Sequence, residues 1–210
     1  MSSLRYVPLS LAGRVSQSYG DQAHDHSEGS QWRKRTRFRP TRDGEARLLL
    51  LIDAFSRNTR KARYLEGRVK LAKLDFLLRY PHHLKTVLVA HGASAEEVTA
   101  IDEDEGPLDL RMMRYRYGPW DPAYYALLGS LIGRGLVQVV PRPGATGFGY
   151  RTSDLGAHLA AELRDDDSFS RLSERLHLLR RYLDKSGNTL KKYLYELPEV
   201  ADATWHEDVR

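Results

Sequence analysis

A few groups of side chains could do chemistry by type and spacing. Asp165, Asp166 and Asp167 stand in a row, as a magnesium-holding carboxylate cluster for phosphoryl transfer would. No lysine-bearing nuclease motif accompanies them, so they read as a solvated loop beside a helix start at Ser168. His24 and His26, and His82 and His83 behind Pro81, offer imidazoles. Neither pair has a third ligand at helical spacing, so both read as solvated or capping residues. Gly144, Gly147 and Gly149 read as the tip of a hairpin rather than a phosphate cradle. The chain lacks GxxxxGK followed by Ser or Thr, GxGxxG behind a strand, HExxH and GxSxG. It has no cysteine, which rules out disulfides, thiolate nucleophiles, iron–sulfur clusters and sulfur-liganded zinc. The sequence therefore predicts no catalytic residue, no cofactor and no metal.

Basic residues are the stronger signal. Of 210 residues, 33 are Lys or Arg and 28 Asp or Glu, a net charge of +5 whose distribution matters more than its sum. Arg33, Lys34, Arg35, Arg37, Arg39 and Arg42 form a run without an acid, with Trp32 and Phe38 interleaved. Arginines there could pair with phosphates while the rings stack on bases, or the run could order against an acidic protein. Arg114, Arg116 and Trp120, interleaved with tyrosines, form a second cluster, and Arg134, Arg142 and Arg151 complete the candidate DNA or partner contacts. From Arg57 to Lys73 the chain is again basic, whereas Glu96 to Asp109 is acidic without a cation. The acidic stretch reads as a linker or partner-facing loop.

Periodicity supplies the elements that would position these residues. Residues 1–44 read as a flexible basic arm. Leu48 to Phe55 predicts a buried helix, Val69 to Arg79 a second stopped by Pro81, and Leu84 to His91 a third. Ser94 and Glu97 have the spacing of a capping box, so a short helix is expected to follow. Leu110 to Tyr117 reads as a strand, Gly118-Pro119 as a turn, and Asp121-Pro122 as the start of a helix whose apolar face is Tyr124, Leu127, Leu128, Leu131 and Ile132. A hairpin follows, with strands at Leu136–Val140 and Tyr150–Thr152, and then a helix from Ser153 to about Leu163. Leu172, Leu176, Leu179 and Leu183 have the spacing of a packing or dimer helix. Ser186-Gly187-Asn188 breaks it, and the tail after Glu199 reads as frayed.

Helix, strand, hairpin and helix in that order form a winged-helix pattern. The fold class expected is mainly α with a small β-hairpin wing, a winged helix-turn-helix with additional helices. Its regions are 1–44, the arm; 45–109, a helical region with the acidic linker; 110–165, the winged helix; and 166–210, C-terminal helices and tail. A winged helix that reads DNA puts Arg, Lys, Asn or Gln on the helix before the wing. Asp121 to Gly133 contains none of them. Its outward positions, Tyr125, Ala126, Gly129, Ser130 and Gly133, are mostly small and suit close approach by another helix.

The segments GRVKLAKLDFLLRYPHHL (67–84), MRYRYGPWDPAYYALLGSLIGRGLVQVV (113–140) and GYRTSDLGAHLAAEL (149–163) resemble the middle components of ABC-three-component systems, including the Lamassu-type anti-phage defence systems. The similarity covers about residues 45–197 and leaves the arm unmatched. It implies a non-catalytic accessory subunit, like those of bacterial condensin-like complexes. Such a subunit would bind the heads of an SMC/Rad50-like ATPase, bridge them to a nuclease-type effector, and help contact DNA without reading sequence. The alternative is a dimeric winged-helix transcriptional regulator. No run is long and apolar enough for a membrane span and the first residues lack a compact apolar stretch, so a cytoplasmic location is expected.

Overall fold

A computed structural model describes residues 39–57, 64–106, 108, 112–204 and 206–209. It is mainly helical with two small antiparallel two-stranded sheets. The central element is α1 (Arg42–Ser56), capped by the Thr41 hydroxyl, which accepts from the Gly44 amide. Leu48 through Ile52 are at most 1% exposed. A helix apolar on every side must be surrounded. Here the surrounding elements are α4 (Tyr124–Gly133), α5 (Asp154–Asp165), α6 (Ser170–Leu183) and one strand of the larger hairpin. The apolar cluster runs from Leu48 to Val209, so the expected boundaries at 109/110 and 165/166 fall inside one packed core.

Next to α1 lies α2 (Gly67–Arg79). Pro81 both ends it and opens α3 (Pro81–Ala90) at the first helical position, three residues earlier than predicted. Ser94 and Glu97 do exchange the capping-box bonds, at 2.9 and 3.3 Å, but residues 95–100 form turns instead of a helix. Val98 and Ile101 are buried, and the acids around them are engaged by the chain itself. Glu97 meets Arg181 at 2.7 Å and accepts from the Tyr182 hydroxyl, Glu103 pairs with Lys85, and Glu105 pairs with Arg175 and Arg171. The acidic block is thus a strap laid over α3 and α6, and these three acids are paired with cations of the chain itself.

The expected strand at 110–117 is half of a hairpin. β1 (Met113–Tyr115) pairs with β2 (Gly118–Trp120) around a turn at 116–117, so Gly118 and Pro119 lie in a strand and not in the turn. The free edge of β1 is taken by the C-terminal residues. The Arg114 amide donates to the Glu207 carbonyl and the Val209 amide to that of Met112, both at 2.7 Å. Val200 and Val209 are fully buried, so the tail is anchored, not frayed.

α4 starts at Tyr124, after a turn in which Asp121 accepts from the Ala123 amide at 2.8 Å. Leu127, Leu128 and Leu131 face the core, while Ile132, expected with them, is 37% exposed. β3 (Val137–Pro141) and β4 (Phe148–Thr152) form the second hairpin, with Val137 opposite Thr152 and Pro141 opposite Phe148. Ser153 then caps α5, accepting from the Gly156 amide and donating to the Gly135 carbonyl at 2.6 Å. Any Cβ at Gly156 would lie 1.9 Å from the Leu136 carbonyl oxygen, so the contact of α5 with the root of β3 needs glycine. Asp166 caps the 3-10 turn Asp167–Phe169 by accepting from the Ser168 amide. On α6, Leu172, Leu176, Leu179 and Leu183 are at most 8% exposed within the single chain. Packing, rather than a dimer seam, is what they do here. Ser186, expected as a breaker, caps α7 (Gly187–Leu194), and α8 (Pro198–Ala201) precedes the tail. Among the described residues, no helix is long and apolar enough to cross a membrane.

Candidate functional site

The geometry around α4 is organised by a buried web of charge. Asp75 on α2 accepts from Arg47 Nε of α1 at 2.8 Å, from Arg79 Nε one helical turn on at 2.9 Å, and from the Tyr124 hydroxyl of α4 at 2.7 Å. Arg79 also reaches Asp121 at 2.7 Å. Asp75 and Arg79 are fully buried. Burial opposes the charged carboxylate of Asp75, but Arg47, Arg79 and the hydroxyl of Tyr124 outweigh it and hold its pKa below the ordinary range. Burial, followed by the charge of Asp75, pushes Tyr124 well above the usual phenol. Two charges with this many fixed partners are neutralised in place, so the web is a frame and not a reactive centre. Lys-Leu-Asp-Phe-Leu-Leu-Arg-Tyr-Pro and Arg-Tyr-Arg-Tyr-Gly-Pro-Trp-Asp-Pro, the two segments most distinctive in the sequence, meet in it through Asp75, Arg79 and Asp121.

A second frame ties α1 to the larger hairpin. Asp53 accepts from the Thr152 hydroxyl at 2.8 Å and pairs with Arg164 at 2.9 Å. Arg57 donates to Thr152, to the Ser153 carbonyl and to Asp154. The larger hairpin therefore leaves the body at a fixed angle.

On the far side of α4 the surface is different. Tyr125 is 62% exposed, Ile132 and the glycines 129 and 133 are exposed, and a Cβ added at either glycine meets nothing within 4 Å. Beside this face lies a mostly apolar cleft of about 310 Å³ whose lining includes Arg68, Val69, Tyr115, Tyr117, Trp120 and Tyr125. The Arg68 guanidinium sits 4.7 Å from the centre of the Tyr125 ring. Trp120 stands edge-on to Tyr124 and Tyr125 at 5.2 and 6.0 Å. The arrangement presents rings and small residues, with the His206 imidazole also in the lining. It is suited to apolar and stacking contacts with a macromolecule.

The expected contact residues divide among separate places. Arg33, Lys34, Arg35 and Arg37 lie outside the described residues. Arg39 and Arg42 are exposed at the start of α1, and Arg42 borders a shallow cleft with Glu45 and Arg134, where Arg134 meets Glu45 at 2.7 Å. Arg114 is buried on β1, donates to the Tyr195 hydroxyl at 2.7 Å and stacks on that ring, so its guanidinium holds α7 to the sheet. Arg116 is exposed at the hairpin turn, 5.5 Å from the Tyr117 ring, and Trp120 is half-buried beside the cleft. Arg142 donates to the Thr146 carbonyl and lies 3.8 Å from Glu66, while Arg151 is exposed and donates to Gln138. Sequence reasoning missed Arg68 and Val69 as part of the cleft. Their position on an exposed turn of α2, one helical turn before buried Ala72, was the available signal.

Compared with known proteins, the chain matches no family model, no curated protein and no solved structure.

Proposed function

We propose that this protein is a non-catalytic winged-helix adaptor. In this reading it is an accessory subunit that binds the heads of an SMC/Rad50-like ATPase in a three-component defence system and connects them to a nuclease-type effector. The observation that carries the reading is the outer face of α4. The helix that precedes the hairpin β3–β4 lacks Arg, Lys, Asn and Gln and exposes Tyr125, Gly129, Ile132 and Gly133. A helix in that position would meet a DNA groove without the Arg, Lys, Asn or Gln side chains that pair with base edges. The same face admits a partner helix closely, because no described residue comes within 4 Å of a Cβ added at Gly129 or Gly133. DNA contact, where it occurs, falls to exposed arginines away from this face, Arg39, Arg42 and Arg151, and is independent of sequence.

The experiment is co-expression with an SMC/Rad50-like ATPase, one encoded in the neighbouring operon being the first choice. The wild-type chain co-elutes with that ATPase, and Gly129→Arg, which projects a cation from open surface, keeps the fold without lowering Tm but abolishes co-elution. A wild-type chain that elutes apart from a folded ATPase, or a Gly129→Arg chain that binds as well as wild type, overturns the reading.

A further inference from the structure

His82 and His83 are consecutive at the start of α3, and the chain brings Glu199 of α8 to them from 116 positions after His83. One ligand atom from each of His82, His83 and Glu199 lies within 4.8 Å of the other two. From this juxtaposition we propose that the three side chains bind a divalent transition-metal ion of the zinc class, and that the ion staples the C-terminal tail to α3.

The donor chemistry fits. Two imidazoles and a carboxylate are zinc ligand types, and the combination leaves a fourth position for water. The chain has no cysteine, so any zinc it holds must use this kind of set. His83 is the fixed member. It is 4% exposed, and its ring packs against two neighbours, 5.3 Å from Phe76 and 5.6 Å from Tyr80. His82 and Glu199 are the adjustable members, both on the surface. Ligands around zinc stand roughly 3.3 Å apart, given bonds of about 2.0–2.2 Å. Closing the observed spacing to that figure needs only rotation of these two exposed side chains. Glu103 lies 3.4 Å from His82 Nδ1 and pairs with Lys85. It can orient the His82 imidazole toward the ion, as carboxylates commonly do for metal-bound histidines.

The placement gives the ion a task. The tail already leans on this region, since Tyr80 donates its hydroxyl to the Val209 carbonyl and accepts from the Met112 amide. An ion joining α3 to α8 would cross-link the two ends of that contact and raise the cost of peeling the tail from β1. This site is independent of the α4 face and of the adaptor reading.

The test uses untagged full-length protein, stripped of metal and titrated with zinc chloride, with magnesium chloride as control. After gel filtration the wild type retains about one zinc ion more per chain than Glu199→Gln or His82→Gln, as a single site per chain requires. Its Tm rises with the logarithm of zinc concentration, as binding to the folded state alone requires, and the variants' Tm does not. Both substitutions are on the surface and keep the fold, so the comparison stands without altering buried His83. Equal zinc content and equal Tm response in wild type and variants, or no response in any of them, overturns the site.

Discussion

Two consecutive tyrosines divide this molecule. Tyr124 is fully buried and gives its hydroxyl to Asp75, while Tyr125 is 62% exposed and lies under the Arg68 guanidinium. One helix therefore carries a buried polar web on one side and, on the other, an exposed surface whose Tyr125 meets the chain through Arg68 and Trp120. The difference shows how to read the two most distinctive sequence segments. Their charged residues, Asp75, Arg79 and Asp121, serve the inner side and say how the chain folds. What the chain does must be sought on the outer side, among residues that look unremarkable in a row of letters: tyrosine, glycine and serine.

Breaking the inner side should have the largest effect. Asp75→Ala takes a carboxylate away from two buried arginines, Arg47 and Arg79, and loss of a buried partner typically costs about 3–5 kcal/mol. Urea unfolding of the variant should show a loss of that size. The pH dependence follows from the same residue. Its folded-state pKa is depressed, so its stabilisation is present above the ordinary carboxylate pKa and is lost as pH falls through the folded value. The wild type should show an acid limb that the variant lacks.

Two residues away, Lys73 makes the reverse case: a buried cation on α2 that donates to the Val69 carbonyl oxygen at 3.5 Å. Burial, then the charge of Lys191, lowers its pKa from 10.5 to about 8. Below about pH 8 both folded and unfolded chains carry the proton and the full penalty is present. Between about 8 and 10.5 the unfolded chain holds more protons, so stability rises with pH. Lys73→Met should be more stable than wild type at pH 7 by about 1–3 kcal/mol, and the gap should close toward pH 10. A gap that stays constant with pH would show that Lys73 titrates in the folded state as it does in the unfolded chain.

The sequence was most legible where one element determined the outcome. Leu48–Ile52, the α4 leucines, the larger hairpin and a helix starting near Ser153 all follow from local pattern and turn chemistry. It was least legible where distant parts meet. The acids at 97, 103 and 105 read as a linker because their partners, Lys85, Arg175 and Arg181, lie on other helices. The tail read as frayed because its backbone partners are on β1, more than ninety positions earlier. His82 and His83 lacked a third ligand at helical spacing for the same reason, since Glu199 is supplied by the fold. Charge blocks in a sequence are a poor guide to partners when the chain can neutralise them itself.

The smallest effect sharpens the comparison most. A glycine inside a helix costs roughly 0.5–1 kcal/mol relative to alanine unless something closely packed needs the space. At Gly156 that need is plain, because the Leu136 carbonyl would collide with a Cβ. At Gly129 nothing of this chain stands within 4 Å of a Cβ. Gly129→Ala should therefore stabilise the isolated protein by about 0.5–1 kcal/mol, measured by thermal unfolding. If the adaptor reading holds, the same methyl weakens the complex with the ATPase, because it occupies the space that a partner helix would fill. A variant that is more stable alone and weaker in the complex assigns the cost of the glycine to the interface. One that gains stability and binds unchanged removes Gly129 from it and moves the docking surface toward Tyr125 and the cleft.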